Sequence, residues 1–307
     1  MKFQGKEVDG GCLGMKRAPR IFRAGLWVCL AFLMGYGERV WGSEGDGGGP
    51  VAFEFLSEDV VIRPGEVFTV GVRLRHEPGF HTYWKNPGIV GVATSIEWEL
   101  PEGFEAGPIQ WPQPDVVKMA QMDAYGYEGE MVLLVDMRAP TALGEREVVE
   151  LKAKVIYMAC ASTCHPGFAD LELTLPVCGG GDRRLDKSVH RLFEEARATF
   201  AEEAGKGWDV ATERNGGVIR LEVALDSEEV PADWSGVYFF DESGWVDSSQ
   251  KQVLESVGKE AFVMKLSEAE WGRREGEVLE GILYSPGGWG AEDRRAVKIR
   301  IPFGRRK

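Results

Sequence analysis

The sequence predicts an all-β protein: an immunoglobulin-like β-sandwich, then a helical linker and a second, smaller β-sandwich domain. The 307 residues exceed the ~100–200 of a usual domain, which favours two domains. Forty glycines and fifteen prolines, with few long runs of helix formers, indicate short strands joined by turns. Apolar and polar residues alternate with a period of two, which is typical of half-buried strands.

The charge balance excludes one large class of function. Lys and Arg total 36 against 49 Asp and Glu, so the formal net charge is -13. A surface of this sign repels nucleic acid phosphates and anionic lipid headgroups. We therefore expect no nucleic acid partner. Hydrophobic residues make up 44% of the chain, which is enough to form real cores.

Residues 1–42 have the pattern of a secretory signal peptide. Four basic residues between positions 16 and 23 precede an apolar run from Ala24 to Met34. That run is well short of the ~20 residues needed to cross a bilayer. Small residues up to Gly42 offer several cleavage sites, and Met15 is an alternative start to Met1. The sequence thus predicts an exported protein with no stable membrane anchor, and residues 43–50 as a linker.

Residues 51–178 are predicted to form the first sandwich. Proline-glycine turn pairs such as Pro64-Gly65 and Pro78-Gly79 punctuate them, because proline fixes φ and glycine tolerates a positive φ. The size suits an immunoglobulin-like fold. Its clearest alternating segments are 67–74, 96–100, 131–135, 151–157 and 171–175.

Residues 179–206 are predicted to link the two domains. Gly179-Gly180-Gly181-Asp182 interrupts the alternation, and apolar residues then recur at helical spacing from Lys187 to Ala204. Residues 207–303 return to alternation and form the predicted second domain, whose strands fall in 218–223, 237–240, 262–266, 279–283 and 297–301.

The cysteines carry the strongest functional signal. After the leader the chain has Cys160, Cys164 and Cys178. In an oxidising compartment the first two are expected to bond at least part of the time. Alternation runs through Tyr157, and Pro166-Gly167 predicts a turn, which places the pair at a strand end and hairpin connection. So short a ring stabilises a fold by only about 2 kcal/mol, which fits a redox role better than a local structural disulfide.

Two further classes of function stay open. The first is a Cu(I)-binding or copper-tolerance protein, because soft sulfur and imidazole ligands suit Cu(I). The second is a non-catalytic interaction module. The candidate copper ligands are Cys160, Cys164, His165 and Met158, with His81 or Met122 as additional possibilities.

Several motifs in a fixed order resemble one family. The resemblance is to the periplasmic N-terminal region of the thiol:disulfide interchange protein DsbD family, especially its ScsB-like branch. It is strong from Val51 to about Pro176 and weaker from Trp208 to Pro302. The motifs are the segments 81–88, 98–103, 107–112, 125–129 and 160–164, with 237–240 and 246–247 in the second domain.

The resemblance implies a thiol:disulfide oxidoreductase component that needs no cofactor. It implies that Cys160 and Cys164 are the redox pair, which takes electrons from a membrane-embedded thiol reductase, expected here as a separate chain. The pair would pass them to periplasmic thioredoxin-fold proteins. The resemblance gives no counterpart for Cys178.

Neighbours of the pair receive expected roles as well. The resemblance implies that Tyr125-Gly126-Tyr127 is a cap whose aromatic ring shields the sulfurs, with Asp123 as an acidic residue near it. Because a buried strand disfavours glycine, we expect this segment to be a loop or strand end folded over Cys160 and Cys164. His165 is the nearby cation that could stabilise a thiolate, which exchange requires and which a free cysteine with a pKa near ~8.5 supplies poorly at neutral pH.

Overall fold

The structure is a computed structural model that describes residues 44–45, 49–177, 186–271, 276–290 and 294–304. The predicted signal peptide (1–42), Cys178 and the glycine-rich segment 179–182 lie outside the described residues. In the described part of the chain, no helix is long and apolar enough to cross a membrane.

The first domain is a sandwich of two mainly antiparallel sheets, as predicted. One sheet has the order β1-β2-β3-β9-β6, and the other has the order β11-β10-β4-β8-β7 with β5 also paired to β10. The strands are β1 (Glu44–Gly45), β2 (Val51–Ser57), β3 (Val67–His76), β4 (His81–Tyr83), β5 (Ser95–Glu99), β6 (Glu105–Gln110), β7 (Asp115–Met119), β8 (Met122–Glu128), β9 (Glu130–Arg138), β10 (Val148–Cys160) and β11 (Cys164–Pro176).

Alternation along β10 and β11 places one face of their hairpin in the core between the sheets. Val149, Leu151, Ala153, Val155 and Tyr157 point inward and are buried. The intervening side chains therefore project from the outer face of this sheet, since successive strand residues point to opposite sides. The last residue on that outer face of β10 is Cys160.

The helix is shorter than predicted. Helix α1 (Lys187–Arg197) ends seven residues before Ala204, where the chain turns and the hydroxyl of Thr199 donates to the carbonyl of Ala196 at 2.7 Å. The residues beyond it form strand β12 (Glu202–Glu203), which runs parallel to the last strand of the chain. The apolar residues at helical spacing in 198–204 therefore belong to a turn and a short strand rather than to the helix.

Helix α1 packs on the outer face of the first sheet. Phe193 is fully buried there, and a Cβ on Gly71 would lie 2.8 Å from its ring, so the glycine makes room for the helix. Arg197 donates to the carboxylate of Glu58 at 2.8 Å. This hydrogen bond lowers the pKa of Glu58, against a smaller opposing effect of burial.

The second domain is also a sandwich, with sheets ordered β12-β19-β18-β15 and β13-β14-β17-β16. Its aromatic residues reach the first domain, because the Phe240 ring lies 5.3 Å from the Tyr125 ring and 6.5 Å from the Trp84 ring. The remaining strands are β13 (Trp208–Asn215), β14 (Val218–Leu225), β15 (Tyr238–Asp241), β16 (Val253–Ser256), β17 (Ala261–Ser267), β18 (Val278–Tyr284) and β19 (Ala296–Pro302).

Candidate redox site

Cys160 and Cys164 form a disulfide at the tip of the β10–β11 hairpin. The two residues are direct partners in the strand register, with Cα atoms 4.1 Å apart. A connection of three residues joins them, closed by a hydrogen bond from the amide of Ala161 to the carbonyl of Thr163 at 3.0 Å. The predicted position at a strand end and hairpin connection is therefore confirmed.

Pro166 and Gly167 lie inside β11, and the turn predicted for them is wrong. Pro166 pairs with Met158 and Gly167 with Tyr157. β11 is the edge strand of its sheet, where a residue without an amide hydrogen is tolerated. A Cβ on Gly167 would lie 2.7 Å from the Tyr157 ring, so close packing accounts for this glycine.

The two sulfur-bearing residues differ sharply in exposure. Cys160 is 0% exposed, whereas Cys164 is exposed to solvent. Cys160 belongs to a small buried cluster with Tyr83, Val117 and Ala124. This cluster is separate from the main core, because it lies on the outer face of the β11-β10-β4-β8-β7 sheet. An attacking thiol can therefore reach Cys164 far more readily than Cys160.

His81 is the imidazole next to the buried cysteine. It is the register partner of Cys160 on β4, and its Nε2 lies 3.3 Å from the hydroxyl of Tyr83. Burial lowers the pKa of His81, although the Glu128 carboxylate opposes this shift. A neutral ring at neutral pH could exchange a proton with the Cys160 sulfur. Sequence reasoning considered His81 only as a copper ligand, although the alternation in His81-Thr82-Tyr83 could have placed it on the outer face.

Tyr125, Gly126 and Tyr127 lie in β8 close to its end, which agrees with the predicted strand end; the expectation that their rings fold over the pair is corrected. Gly126 is the register partner of Tyr83, and a Cβ there would lie 2.2 Å from the carbonyl oxygen of Thr82. Alternation directs Gly126 to the outer face and both tyrosine rings to the main core, where they are buried. The aromatic side chain in the cluster with Cys160 is Tyr83.

Asp123 and His165 also make contacts other than those expected. The carboxylate of Asp123 forms an ion pair with Lys118 on β7. The His165 ring lies 5.8 Å from the ring of Phe80, and its Nε2 is 3.0 Å from the hydroxyl of Thr163. Since His165 pairs with Ala159 rather than with Cys160, strand alternation turns it away from the face that carries the pair.

Of the four donors considered for Cu(I), only His165 is separated from the others: Cys160, Cys164 and Met158 lie on the outer face of the hairpin, and His81 pairs with Cys160. Met158 packs against the cluster that holds Cys160, while His165 lies on the other face of the hairpin. Across the part of the chain that the structure describes, no group of three or more His, Cys, Asp or Glu side chains is arranged to hold a metal ion.

An apolar strip extends from the disulfide along the outer face of the hairpin. We define the hairpin strip as Met158, Pro166, Ile156 and Phe168, which form two consecutive outward-facing register pairs behind Cys160 and Cys164. The Phe168 side chain is 56% exposed, and the ammonium of Lys154 lies 4.7 Å from its ring centre. Contiguous exposed apolar surface beside a reactive group is typical of a protein-binding site.

Comparison with known proteins finds one matching family and one solved structure with a similar fold. Residues 52–176 match the family described as thiol:disulfide interchange protein DsbD, N-terminal. A crystal structure of the N-terminal periplasmic domain of ScsB from Proteus mirabilis aligns with 85% of this chain and 100% of its own, at 16% identity and a TM-score of 0.57. That likeness shows a shared fold. Collagen adhesin from S. aureus aligns at 6% identity, 83% and 93% coverage and a TM-score of 0.15, too weak to inform the fold. No curated protein matches the chain by sequence.

Proposed function

Since residues 52–176 belong to the N-terminal domain family of thiol:disulfide interchange protein DsbD, we propose that this protein carries electrons between thiol proteins in the periplasm. One observation carries the proposal: a disulfide whose two ends differ in exposure lies at the tip of a hairpin. Its ring is too small to contribute much stability, and its outer sulfur is open to an incoming thiolate.

The exchange proceeds in two balanced steps. A partner thiolate attacks Sγ of the exposed Cys164, forming a mixed disulfide while the bond to Cys160 breaks and Cys160 leaves as a thiolate that takes up a proton. The partner's second thiolate then attacks the partner sulfur that is bonded to Cys164. The partner's own disulfide forms, and Cys164 leaves as a thiolate that takes up the second proton. Two electrons and two protons have moved from the partner dithiol to the pair. The reverse sequence delivers them to an oxidised acceptor.

Burial of the leaving sulfur favours protonation. A thiolate surrounded by Tyr83, Val117 and Ala124 loses solvation, which raises the cost of the charged form. His81, which pairs with Cys160 across β4 and β10, is the residue we propose to transfer the proton in either direction. The reduced pair would therefore hold a protonated Cys160 and an accessible Cys164, so that reaction with a partner begins at Cys164.

The proposed donor is a membrane-embedded thiol reductase on a separate chain, and the proposed acceptors are periplasmic proteins with a thioredoxin fold. Such partners must bring a cysteine against Cys164, and the hairpin strip supplies apolar surface directly behind it. Phe168 would be the main anchor, because a large exposed ring buries the most area per side chain.

The test is stopped-flow exchange of the oxidised protein with a reduced thioredoxin-fold protein, compared with reduction by dithiothreitol. Phe168→Ala should lower the second-order rate with the protein partner about tenfold, the effect of losing ~1.4 kcal/mol at a binding anchor, and leave the dithiothreitol rate unchanged. Trp271→Ala is the matched control, because Trp271 is an exposed aromatic residue in the second domain. Equal effects of both variants would refute the docking role of the strip, and absence of exchange would refute the proposed function.

A further inference from the structure

A loop from the first domain lies against the cluster around Cys160. We define the cover loop as residues 86–92, which follow β4. Val90 packs against the cluster that holds Cys160. Gly91 has a φ of +101°, and a Cβ there would lie 2.3 Å from the Tyr83 ring, so the backbone of Gly91 packs directly against that ring. The cover loop therefore packs on this cluster, whereas the rings of Tyr125 and Tyr127 lie in the main core.

The second domain holds the cover loop through buried polar contacts. Asn86 Nδ2 donates to the carbonyl of Asp241 at 2.7 Å. The amide of Ile89 donates to Oγ of Ser248 at 3.1 Å, and that hydroxyl donates to the carbonyl of Asp123 at 2.8 Å. Ser248 is 1% exposed. A hydroxyl from the second domain thus bridges the cover loop and β8, one of the strands that form the floor of the cluster. The loop also bonds to β8 directly, since the amide of Tyr125 donates to the carbonyl of Pro87 at 3.0 Å.

The fit at this hydroxyl is tight. Gly88 has a φ of +84°, and a Cβ there would lie 2.2 Å from Oγ of Ser248. The glycine permits both the backbone conformation and the approach of the serine. Because Ser248 fits against the loop only where residue 88 has no side chain, the surfaces of the two domains are complementary at this point.

The segment that presents Ser248 is itself fixed. The buried carboxylate of Asp241 accepts hydrogen bonds from the amide and hydroxyl of Ser243, at 2.9 and 2.6 Å, and from the amide of Val246 at 2.9 Å. These bonds close the turn that leads from β15 towards Ser248. The second domain therefore offers a rigid support.

Apolar and ionic contacts flank the same junction. The Phe240 ring packs against Trp84 and Tyr125, which adjoin the cover loop. The ammonium of Lys85 lies 2.8 Å from the carboxylate of Glu242, whose side chain is only 9% exposed. Loss of one hydroxyl should therefore loosen the loop locally while the domains stay packed.

From these contacts we propose that the second domain clamps the cover loop over Cys160, and that Ser248 is the positioning residue that sets how readily the buried sulfur reacts. The clamp gives the second domain a role in the redox site that does not require it to bind any partner. This inference rests on the proposed function only in taking Cys160 as the inner cysteine of the exchanging pair.

The test measures alkylation of Cys160 by iodoacetamide in the chain that begins at residue 43, termed the mature chain, with Cys164→Ser and Cys178→Ser. Ser248→Ala should raise the rate about five- to tenfold, which is the change in open population expected from loss of one buried hydrogen bond. Ser249→Ala is the matched control, because the hydroxyl of that neighbouring serine bonds to Asp247 within its own turn. It should leave the rate unchanged.

A second background separates local opening from general loosening. In a chain carrying Cys160→Ser and Cys178→Ser, alkylation of the exposed Cys164 should not respond to Ser248→Ala. If Ser248→Ala does not fold, as judged by circular dichroism, Asn86→Ala tests the same junction from the loop side with the same expected increase.

An unchanged Cys160 rate in a folded variant at this junction would overturn the clamp. Alkylation does not depend on any protein partner. A failure of exchange with thioredoxin-fold proteins would therefore refute the proposed function without affecting the clamp. An unchanged Cys160 alkylation rate would refute the clamp without affecting the proposed function.

Discussion

Reduction of the Cys160–Cys164 bond should lower the free energy of unfolding by only about 2 kcal/mol. The cysteines are separated by four positions in sequence, so the bond closes a very small loop. With roughly five residues in that loop, the chain-entropy relation gives about 7 cal/mol/K, or ~2 kcal/mol at room temperature. The rest of the hairpin does not depend on the bond, because β10 and β11 pair continuously from Val148 and Pro176 to the two cysteines.

The assay is thermal unfolding, followed by circular dichroism, of the oxidised and reduced mature protein in a Cys178→Ser background. A loss of 2 kcal/mol should lower the melting temperature by about 3–4 °C in a chain of this size, with a single cooperative transition kept in both states. The far-ultraviolet spectrum should not change. If reduction unfolds the first domain, or lowers its stability by more than ~5 kcal/mol, the bond is a structural staple and the reasoning is refuted.

Three further predictions follow from the site and from the helix. Cys160→Ser should trap a mixed disulfide between Cys164 and a partner, seen by mass spectrometry, whereas Cys164→Ser should trap little; the opposite pattern would reverse the proposed order of attack. Cys178→Ser should leave the reduction potential and exchange rate unchanged, and a shift in either would show that a third thiol takes part. Glu58→Gln should lower the urea midpoint at pH 7 but much less at pH 3. Arg197 lowers the pKa of Glu58, so the ionised carboxylate stabilises the fold above the ordinary carboxyl range, and this contribution is lost as pH falls; an equal difference at both pH values would contradict the assignment.

Local patterns were sufficient to predict the sandwich and the reactive pair. Alternation in 151–157 and 171–175 identifies the strands of the hairpin, and the two cysteines near its tip form the disulfide for which we propose a redox role. Such inferences succeed because they depend on neighbours in sequence. Pro166-Gly167 shows their limit, since the same residues suit a turn or an edge strand packed closely against Tyr157.

The pairing register between strands far apart in sequence determines which other residues surround the two cysteines. Cys160 pairs with His81, and His81 pairs with Glu128, across strands far apart in sequence. That register, which the sequence does not reveal, places Ala124 and Gly126 beside the pair and turns the tyrosines of β8 away. The aromatic-glycine-aromatic pattern resembles a cap loop because glycine is unusual in a buried strand. Here glycine is needed because the carbonyl of Thr82 leaves no space for a side chain.

Contacts between the domains were equally beyond local reasoning. Ser248 donates to Asp123 across 125 positions of sequence, and the family-like segment 246–247 beside it does not indicate which part of the first domain it contacts. The serine is recognisable only once Gly88 and Ile89 are seen to be shaped around it. A domain that looks like a separate unit in sequence thus contributes to the surroundings of a cysteine in the other.

Redox equilibration of the mature protein tests the central claim most directly. The folded protein is equilibrated in a series of glutathione and dithiothreitol buffers, and the free thiols of Cys160 and Cys164 are counted by alkylation and mass spectrometry at each ratio. The account predicts that both thiols appear together as a reversible two-electron couple of moderately oxidising potential, with the fold retained. A bond that resists reduction in the folded protein, or two thiols that never pair, would contradict it.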